Sequence, residues 1–153
     1  KAEDLLKDEK IIGIKHTSQD LYALERLKNM DNPPIVFNGY DEMFAAGLIM
    51  GADGGIGSTY NFMPHKIVSI YRAFLNKDIE KVMKLQQEVN AIIEEIIIHS
   101  GKCGIMNGEK AILTAMGIPM GQCKKPFLPI DGESDAAMAC IAKKLMKELG
   151  GVL

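Results

Sequence analysis

The sequence contains no tryptophan, only three cysteines and no long uninterrupted apolar run. Cys103, Cys123 and Cys140 are odd in number and widely spaced, which fits neither a disulfide framework nor a CxxC metal site. The longest apolar stretch, residues 92–97, is interrupted by two glutamates and is much shorter than the roughly 20 residues of a membrane span. We therefore expect a cytoplasmic protein without a membrane segment or a signal peptide.

An excess of charge of one sign is also absent, because 18 lysines and arginines nearly balance 20 aspartates and glutamates. The charges are scattered along the chain, so we expect no surface for nucleic acid or anionic lipid. His16, His65 and His99 do not have the spacing of metal ligands, so we expect no metal site. The hydrophobic content of 47% is sufficient for a globular core, and the expected partner is a small molecule.

The first four residues, KAED, include no initiator methionine. They begin inside an amphipathic pattern that continues with Leu5, Leu6 and Ile11. This pattern predicts that the sequence starts in the middle of a helix, and it indicates a part of a longer chain.

Short apolar runs alternate with helical patterns over the first sixty residues. The runs predict strands at residues 11–15, 34–38 and 52–56, the last of them rich in glycine. The leucine spacing after Ser18, a good helix-starting residue, predicts one helix, and residues 43–49 predict a second of about ten residues. Strands that alternate with helices in this way are typical of parallel βα units.

From residue 63 onward the pattern is helical. The apolar spacing predicts helices over residues 63–74, 79–96, 111–116 and 138–149, with a break at Gly101 and Gly104, a loop over residues 126–132 and a C-terminal cap at Gly150 and Gly151. Three βα units cannot close a barrel, and as an open sheet they would leave two unpaired edges. We therefore predict the C-terminal strands and helices of a (β/α)8 TIM barrel over residues 1–75, followed by a C-terminal helical extension packed on the barrel over residues 76–153.

Lys15 ends the first predicted strand, and in parallel barrels the carboxyl ends of the strands form the active-site face. Burial among Ile11, Ile12 and Ile14 would favour the uncharged amine that attack on a carbonyl requires. Lys15 is therefore a candidate nucleophile. The alternative interpretation is a lysine that only ends the strand and extends into solvent.

Two polar segments follow the second and third predicted strands. In residues 38–42 (NGYDE), Gly39 permits close approach of a ligand, and Asp41 and Glu42 could accept hydrogen bonds from a polyol. Asp41 could equally cap the next helix, with Glu42 at the positive end of its dipole. Ser58 follows the glycine-rich strand, which is not a nucleotide-binding fingerprint, and its hydroxyl group could bind a substrate or only close a turn.

Residues 13–18 (GIKHTS), 39–42 (GYDE) and 51–61 (GADGGIGSTYN) together resemble the C-terminal half of bacterial N-acetylneuraminate lyases in wording, order and separation. The resemblance extends over nearly the whole chain, including residues 125–127 (KPF). These enzymes belong to the dihydrodipicolinate synthase superfamily of class I aldolases. The resemblance therefore implies a (β/α)8 barrel, usually a homotetramer, with an additional C-terminal helical bundle.

The same resemblance implies that Lys15 forms a Schiff base with N-acetylneuraminate, so that no cofactor is needed. Five residues match positions that bind the hydroxylated chain of the sugar: Thr17, Gly39, Asp41, Glu42 and Ser58. The catalytic tyrosine and the loop that binds the substrate carboxylate would lie before residue 1. The chain alone is therefore expected to be inactive and to need the N-terminal half of the barrel.

Two other functions stay open at this point. Another pyruvate-dependent aldolase, such as dihydrodipicolinate synthase, would use the same lysine, although Asp41, Glu42 and residues 54–61 favour the sialic acid branch. A non-catalytic sugar-binding barrel is disfavoured, because it has no need of Lys15 at the end of an apolar strand.

Overall fold

The computed structural model of the chain describes residues 2–150, with side chains from residue 4 onward. The helices and strands, in chain order, are α1 (Ala2–Leu5), β1 (Gly13–His16), α2 (Leu21–Lys28), β2 (Ile35–Asn38), α3 (Phe44–Ile49), β3 (Gly54–Gly55), α4 (Pro64–Leu75), α5 (Ile79–Ser100), α6 (Ile105–Ala115) and α7 (Gly132–Glu148). Three short 3₁₀ turns lie at Asp41–Met43, Thr59–Asn61 and Gly101–Cys103. None of the helices in residues 2–150 has the length and apolar character that a membrane crossing requires.

The described residues form two compact units. One unit comprises the residues up to 58 together with residues 65–87, and the other comprises residues 59–64 together with the residues from 88 onward. The boundary that the sequence predicts between residues 75 and 76 stays a prediction.

The first unit contains a parallel sheet in the order β1-β2-β3. Successive side chains of a strand point to opposite faces of the sheet. In β2, Ile35 and Phe37 are exposed, and Val36 and Asn38, which alternate with them, are buried. One face of the sheet packs against α2, where Leu24 and Val36 are fully buried. The other face carries the side chains of Lys15, Ile35 and Phe37, since Lys15 pairs in register with Phe37.

The second unit is built on three helical segments. These segments are residues 88–100 of α5, the whole of α6 and the whole of α7. Their buried side chains include Val89, Ile93, Ile96, Ile112, Met138, Ile141 and Leu145. α6 approaches its neighbours closely at Gly108, where a Cβ atom would overlap Ser100 Oγ and lie 3.3 Å from Met138 Sδ. The buried Asn107 side chain holds the loop after α6, because it donates to the Leu128 carbonyl (2.8 Å) and accepts from Cys123 N–H (2.7 Å).

Several predicted boundaries differ from the structure. The glycine-rich strand predicted at residues 52–56 is only Gly54–Gly55, since glycine has no side chain to pack and weakens a strand. The helix predicted at residues 111–116 begins six positions earlier, at Ile105, directly after Gly104 with its φ of 79°. Asp20, and not Ser18, caps α2 by accepting from Ala23 N–H at 3.0 Å.

The end of the chain agrees better with the sequence. Gly150 follows α7 with a φ of 71°, as a C-terminal cap requires, whereas Gly151 lies outside the described residues. Asp131 caps the start of α7, and hydrogen bonds from Ser134 hold the pKa of its carboxyl group below the ordinary value. The predicted loop therefore ends at Asp131, because Gly132 is already helical.

Asp53 fastens the amino-terminal end of β2. Its carboxylate accepts a hydrogen bond from Val36 N–H (2.7 Å) and pairs with Lys28 Nζ (2.8 Å), which also donates to the Pro34 carbonyl (3.0 Å). Partial burial pushes the pKa of Asp53 up, but the hydrogen bonds from Lys28 and Val36 outweigh it, and the pKa lies below its ordinary value.

We expect Asp53→Asn to lower the free energy of unfolding near pH 7 by about 1 kcal/mol, because a neutral amide oxygen accepts from Val36 N–H more weakly than a carboxylate does. Loss of the Lys28 ion pair adds little, since the Asp53 side chain is 41% exposed and the pair is screened. A carboxylate with a lowered pKa stabilises the fold above its unfolded value of about 3.9 and loses this effect as the pH falls through the folded value. The difference in thermal unfolding between the two proteins should therefore be larger near pH 7 than near pH 3. An equal difference at both pH values would contradict the assignment.

Candidate active site

The carboxyl ends of the three strands lie at one edge of the parallel sheet. The backbone pairing continues past the strands, with Gly39 N–H donating to the His16 carbonyl (2.9 Å) and Ile56 N–H donating to the Asn38 carbonyl (3.0 Å). The segments that follow the strands therefore begin side by side. These segments contain five of the six candidate residues, and Lys15 lies in β1 one position before its last residue.

Lys15 is exposed, and the prediction that Ile11, Ile12 and Ile14 bury it is wrong. Successive side chains of a strand point to opposite faces, so Ile14 packs toward Leu24 on the other side of the sheet, and Ile12 itself is 73% exposed. On its own face Lys15 borders a hollow of about 260 Å³ whose walls include the apolar side chains of Ile35 and Phe37.

Lys15, Thr17 and Gly39 pack against one another. A Cβ atom on Gly39 would lie 2.8 Å from Lys15 Cε and would overlap Thr17 Oγ1. Only glycine leaves room at this position for both side chains. The structure therefore brings these three candidate residues together between the ends of β1 and β2.

Asp41 and Glu42 are the first two residues of the 3₁₀ turn that follows β2. Asp41 is buried, with only 5% of its surface exposed, whereas Glu42 is exposed. Tyr40 holds the cap position of the turn, so Asp41 lies inside it. Helix α3 begins after Met43, which forms no side-chain cap, so the capping role that the sequence left open for Asp41 does not apply to α3.

Gly57 brings the end of the glycine-rich segment against Asp41. A Cβ atom on Gly57 would overlap both carboxylate oxygens of Asp41. Ser58, which is half-buried, follows directly in the chain and is thus carried to the same place. The sequence predicts a glycine-rich strand here, but it could not show that Gly57 meets Asp41, because the partner lies sixteen positions earlier.

Asn38 is a further residue of the site that the sequence analysis gave no role. It is buried on the helix-covered face and donates a hydrogen bond from Nδ2 to the Tyr40 carbonyl. Its side chain occupies the space beside Gly47 of α3, where a Cβ atom would overlap it. A polar residue at the end of an apolar strand was the available signal. Among residues 2–150 no group of histidine, cysteine, aspartate or glutamate side chains has the arrangement of a metal site.

Comparison with known proteins identifies the family. Residues 1–145 match the model of the dihydrodipicolinate synthetase family. The chain belongs to this family. Within this family, the chain is 44% identical over 134 residues to the N-acetylneuraminate lyase of Rhizobium meliloti. The matched region covers 88% of the chain and 43% of that protein.

Two solved structures show the same relationship. The N-acetylneuraminate lyase of Fusobacterium nucleatum in complex with pyruvate matches 96% of the chain and 47% of its own length, with a TM-score of 0.81 and 34% identity. A catalytic lysine mutant of the Ruminococcus gnavus sialic acid aldolase matches 99% of the chain and 50% of its own length, with a TM-score of 0.86 and 25% identity. The fold prediction is confirmed: the chain forms the C-terminal strands and helices of a (β/α)8 barrel with a helical end. It spans about half the length of these family members.

Proposed function

We propose that the complete barrel, in which this chain is joined to an N-terminal half like that of its relatives, is an N-acetylneuraminate lyase. It would cleave N-acetylneuraminate reversibly to N-acetylmannosamine and pyruvate. The observation that carries the proposal is the 44% identity to such a lyase, together with the packing of Lys15, Thr17 and Gly39 at the carboxyl edge of the sheet. The chain alone, which spans about half of its relatives, would be inactive.

Lys15 would act as the nucleophile. Its neutral amine attacks the C2 ketone of the open-chain sugar, and loss of water gives an iminium ion. The C3–C4 bond then breaks, its electron pair flows into the iminium as the C4 hydroxyl proton is removed, and N-acetylmannosamine leaves. Protonation of the remaining enamine and hydrolysis of the imine release pyruvate and restore the amine. The covalent imine serves as the electron sink, so the proposed reaction uses no metal or cofactor.

The uncharged amine needs an apolar surrounding. In the described residues the face that carries Lys15 also carries Ile35 and Phe37, which are partly exposed. Closure of the barrel over this face would remove Lys15 from water and would place it beside these apolar side chains. The proposal therefore assigns the desolvation of Lys15 to the complete barrel.

The hydroxylated chain of the sugar would bind along the same edge. A polyol needs several fixed donors and acceptors rather than one charge. Thr17 and Ser58 offer hydroxyl groups, Gly39 offers a close approach to the backbone, and the buried Asp41 and exposed Glu42 offer carboxylate oxygens. This set supports a sugar acid as substrate better than the smaller substrate of a dihydrodipicolinate synthase.

A product assay on the complete barrel tests the function. We expect N-acetylneuraminate to yield equal amounts of pyruvate and N-acetylmannosamine. Condensation of pyruvate with aspartate semialdehyde, without cleavage of N-acetylneuraminate, would support the dihydrodipicolinate synthase alternative instead. Binding of N-acetylneuraminate without any product would support a sugar-binding barrel. We also propose a cytoplasmic homotetramer; light scattering of the purified complete barrel would test the tetrameric state.

The acidic pair allows a separate prediction. Asp41→Ala or Glu42→Ala should lower kcat/KM for N-acetylneuraminate about ten- to a hundredfold, the effect of losing a hydrogen bond to a charged group. Formation of the pyruvate imine should be retained, because pyruvate lacks the hydroxylated chain. Asp53→Ala is the control, because it removes a carboxylate at the opposite, amino-terminal end of β2. A parallel loss of cleavage and pyruvate trapping would indicate a folding role for the pair.

A further inference from the structure

We propose that Gln86 is a positioning residue that holds the acidic 3₁₀ turn in the geometry needed for the sugar. The inference rests on the proposed function, in which Asp41 and Glu42 bind the hydroxylated chain. Gln86 lies on α5, within the helix that the apolar spacing predicts over residues 79–96. No sequence motif connects it with the turn.

Gln86 uses both ends of its amide group on this turn. Nε2 donates to the Asp41 carbonyl at 3.0 Å, and Oε1 accepts from Ala45 N–H at 2.7 Å. The residue is only 9% exposed, although polar side chains of this length are mostly found at the surface. One buried side chain therefore fixes two backbone groups that lie on either side of Glu42.

The start of α3 depends on the hydrogen bonds with Gln86, because its own sequence provides no cap. The first N–H groups of a helix have no partner inside it, and α3 begins after Met43 without a side-chain cap. Gln86 supplies the acceptor for Ala45 that a capping residue would otherwise provide. On the other side of the turn, Asn38 donates to the Tyr40 carbonyl, so two amide side chains hold the segment from Tyr40 to Ala45.

The two hydrogen bonds with Gln86 control the position of the Asp41 carboxylate. Asp41 Oδ1 and Oδ2 lie directly against Gly57, so the turn has little freedom to move toward β3. Loss of the Gln86 bonds would allow it to move in the other direction, away from Gly57 and Ser58. Because a displacement of about 1 Å is enough to weaken a positioned contact strongly, the effect should fall on sugar binding rather than on the lysine.

Gln86→Met keeps the length of the side chain and removes both hydrogen bonds. In the complete barrel we expect the KM for N-acetylneuraminate to rise about tenfold, as expected for a lost positioning contact, while pyruvate trapping by borohydride stays at the wild-type rate. Gln87→Met, at the exposed neighbouring position, should match the wild type. Hydrogen exchange of the Ala45 amide should be faster in Gln86→Met than in Gln87→Met.

Gln86→Glu separates positioning from simple packing. A carboxylate accepts from Ala45 but cannot donate to Asp41, whereas a protonated carboxyl group can do both. The ratio of the KM of Gln86→Glu to the KM of the wild type should therefore fall toward one as the pH falls. The corresponding ratio for Gln86→Met should not.

An unchanged KM in Gln86→Met, or an equal loss of sugar cleavage and pyruvate trapping, would overturn the inference. A wild-type barrel that traps no pyruvate would instead overturn the proposed function, and the inference with it. The two failures are distinguishable, because the first leaves the wild type active.

Discussion

Replacement of Lys15 with arginine in the complete barrel is expected to abolish cleavage of N-acetylneuraminate, with a loss of at least about a thousandfold in kcat, because the group proposed to form the covalent intermediate is gone. Arginine keeps a positive charge and a long side chain, but its guanidinium stays protonated and cannot form an imine. No reduced pyruvate adduct should form on the variant. The wild-type protein, treated in the same way, provides the positive reference: it should gain the mass of the carboxyethyl group that reduction of the pyruvate imine leaves on the lysine.

Lys10→Arg is the matched control, since Lys10 is exposed and precedes β1 by three positions. It should retain both cleavage and trapping. A Lys15→Arg variant that keeps a tenth or more of the wild-type rate would show that the lysine only ends the strand, as the alternative interpretation of the sequence holds.

Substitution of Gly57 by alanine is expected to lower kcat/KM for N-acetylneuraminate about a hundredfold, the loss that follows from misplacing a positioned group by about 1 Å. The new Cβ atom would overlap the Asp41 carboxylate, so Asp41 or the segment before Ser58 must move. Pyruvate trapping at Lys15 should change little, because the overlap does not involve Lys15. Steady-state cleavage and borohydride trapping, measured on the same preparations, test this split.

Two other glycines serve as comparisons. Gly54→Ala lies in the same glycine-rich segment, but its Cβ atom would meet only the Phe37 ring at the ordinary distance of 3.4 Å, so this variant should retain activity. Gly39→Ala would crowd Lys15 and Thr17 and should reduce both cleavage and trapping. If Gly57→Ala and Gly39→Ala had the same effects on both measurements, the separation into a lysine side and a carboxylate side would be wrong.

The sequence predicts the local parts of this architecture well. The apolar runs at β1 and β2 predict parallel strands, and the strand order follows from their alternation with α2 and α3. The placement of Lys15, Gly39, Asp41 and Ser58 at the carboxyl edge follows from the same rule, since each residue lies at or just beyond a strand end.

The long-range parts could not be predicted from local pattern. The contact of Asp41 with Gly57 and the bonds from Gln86 join positions that are far apart in the chain and carry no periodic signal. The expected burial of Lys15 failed for a related reason. A continuous apolar run shows that a strand has two covered faces, but it does not show that neighbours in the sequence cover the same face.

The exposed lysine also limits what the chain can do alone. Catalysis by a neutral amine requires a low-dielectric surrounding, and the face around Lys15, Ile35 and Phe37 is open in the described residues. We therefore propose that the chain supplies the nucleophile and the sugar-binding edge and that the complete barrel supplies the enclosure. Mixing this chain with a separately expressed N-terminal half would reveal whether enclosure alone restores activity.

Peptide mapping after borohydride reduction in the presence of pyruvate would show which lysine forms the Schiff base. A Schiff base at Lys15 should leave a single stable adduct of the complete barrel on this residue, which should be absent when pyruvate is omitted. An adduct on a different lysine, or no adduct under conditions in which N-acetylneuraminate is cleaved, would contradict it.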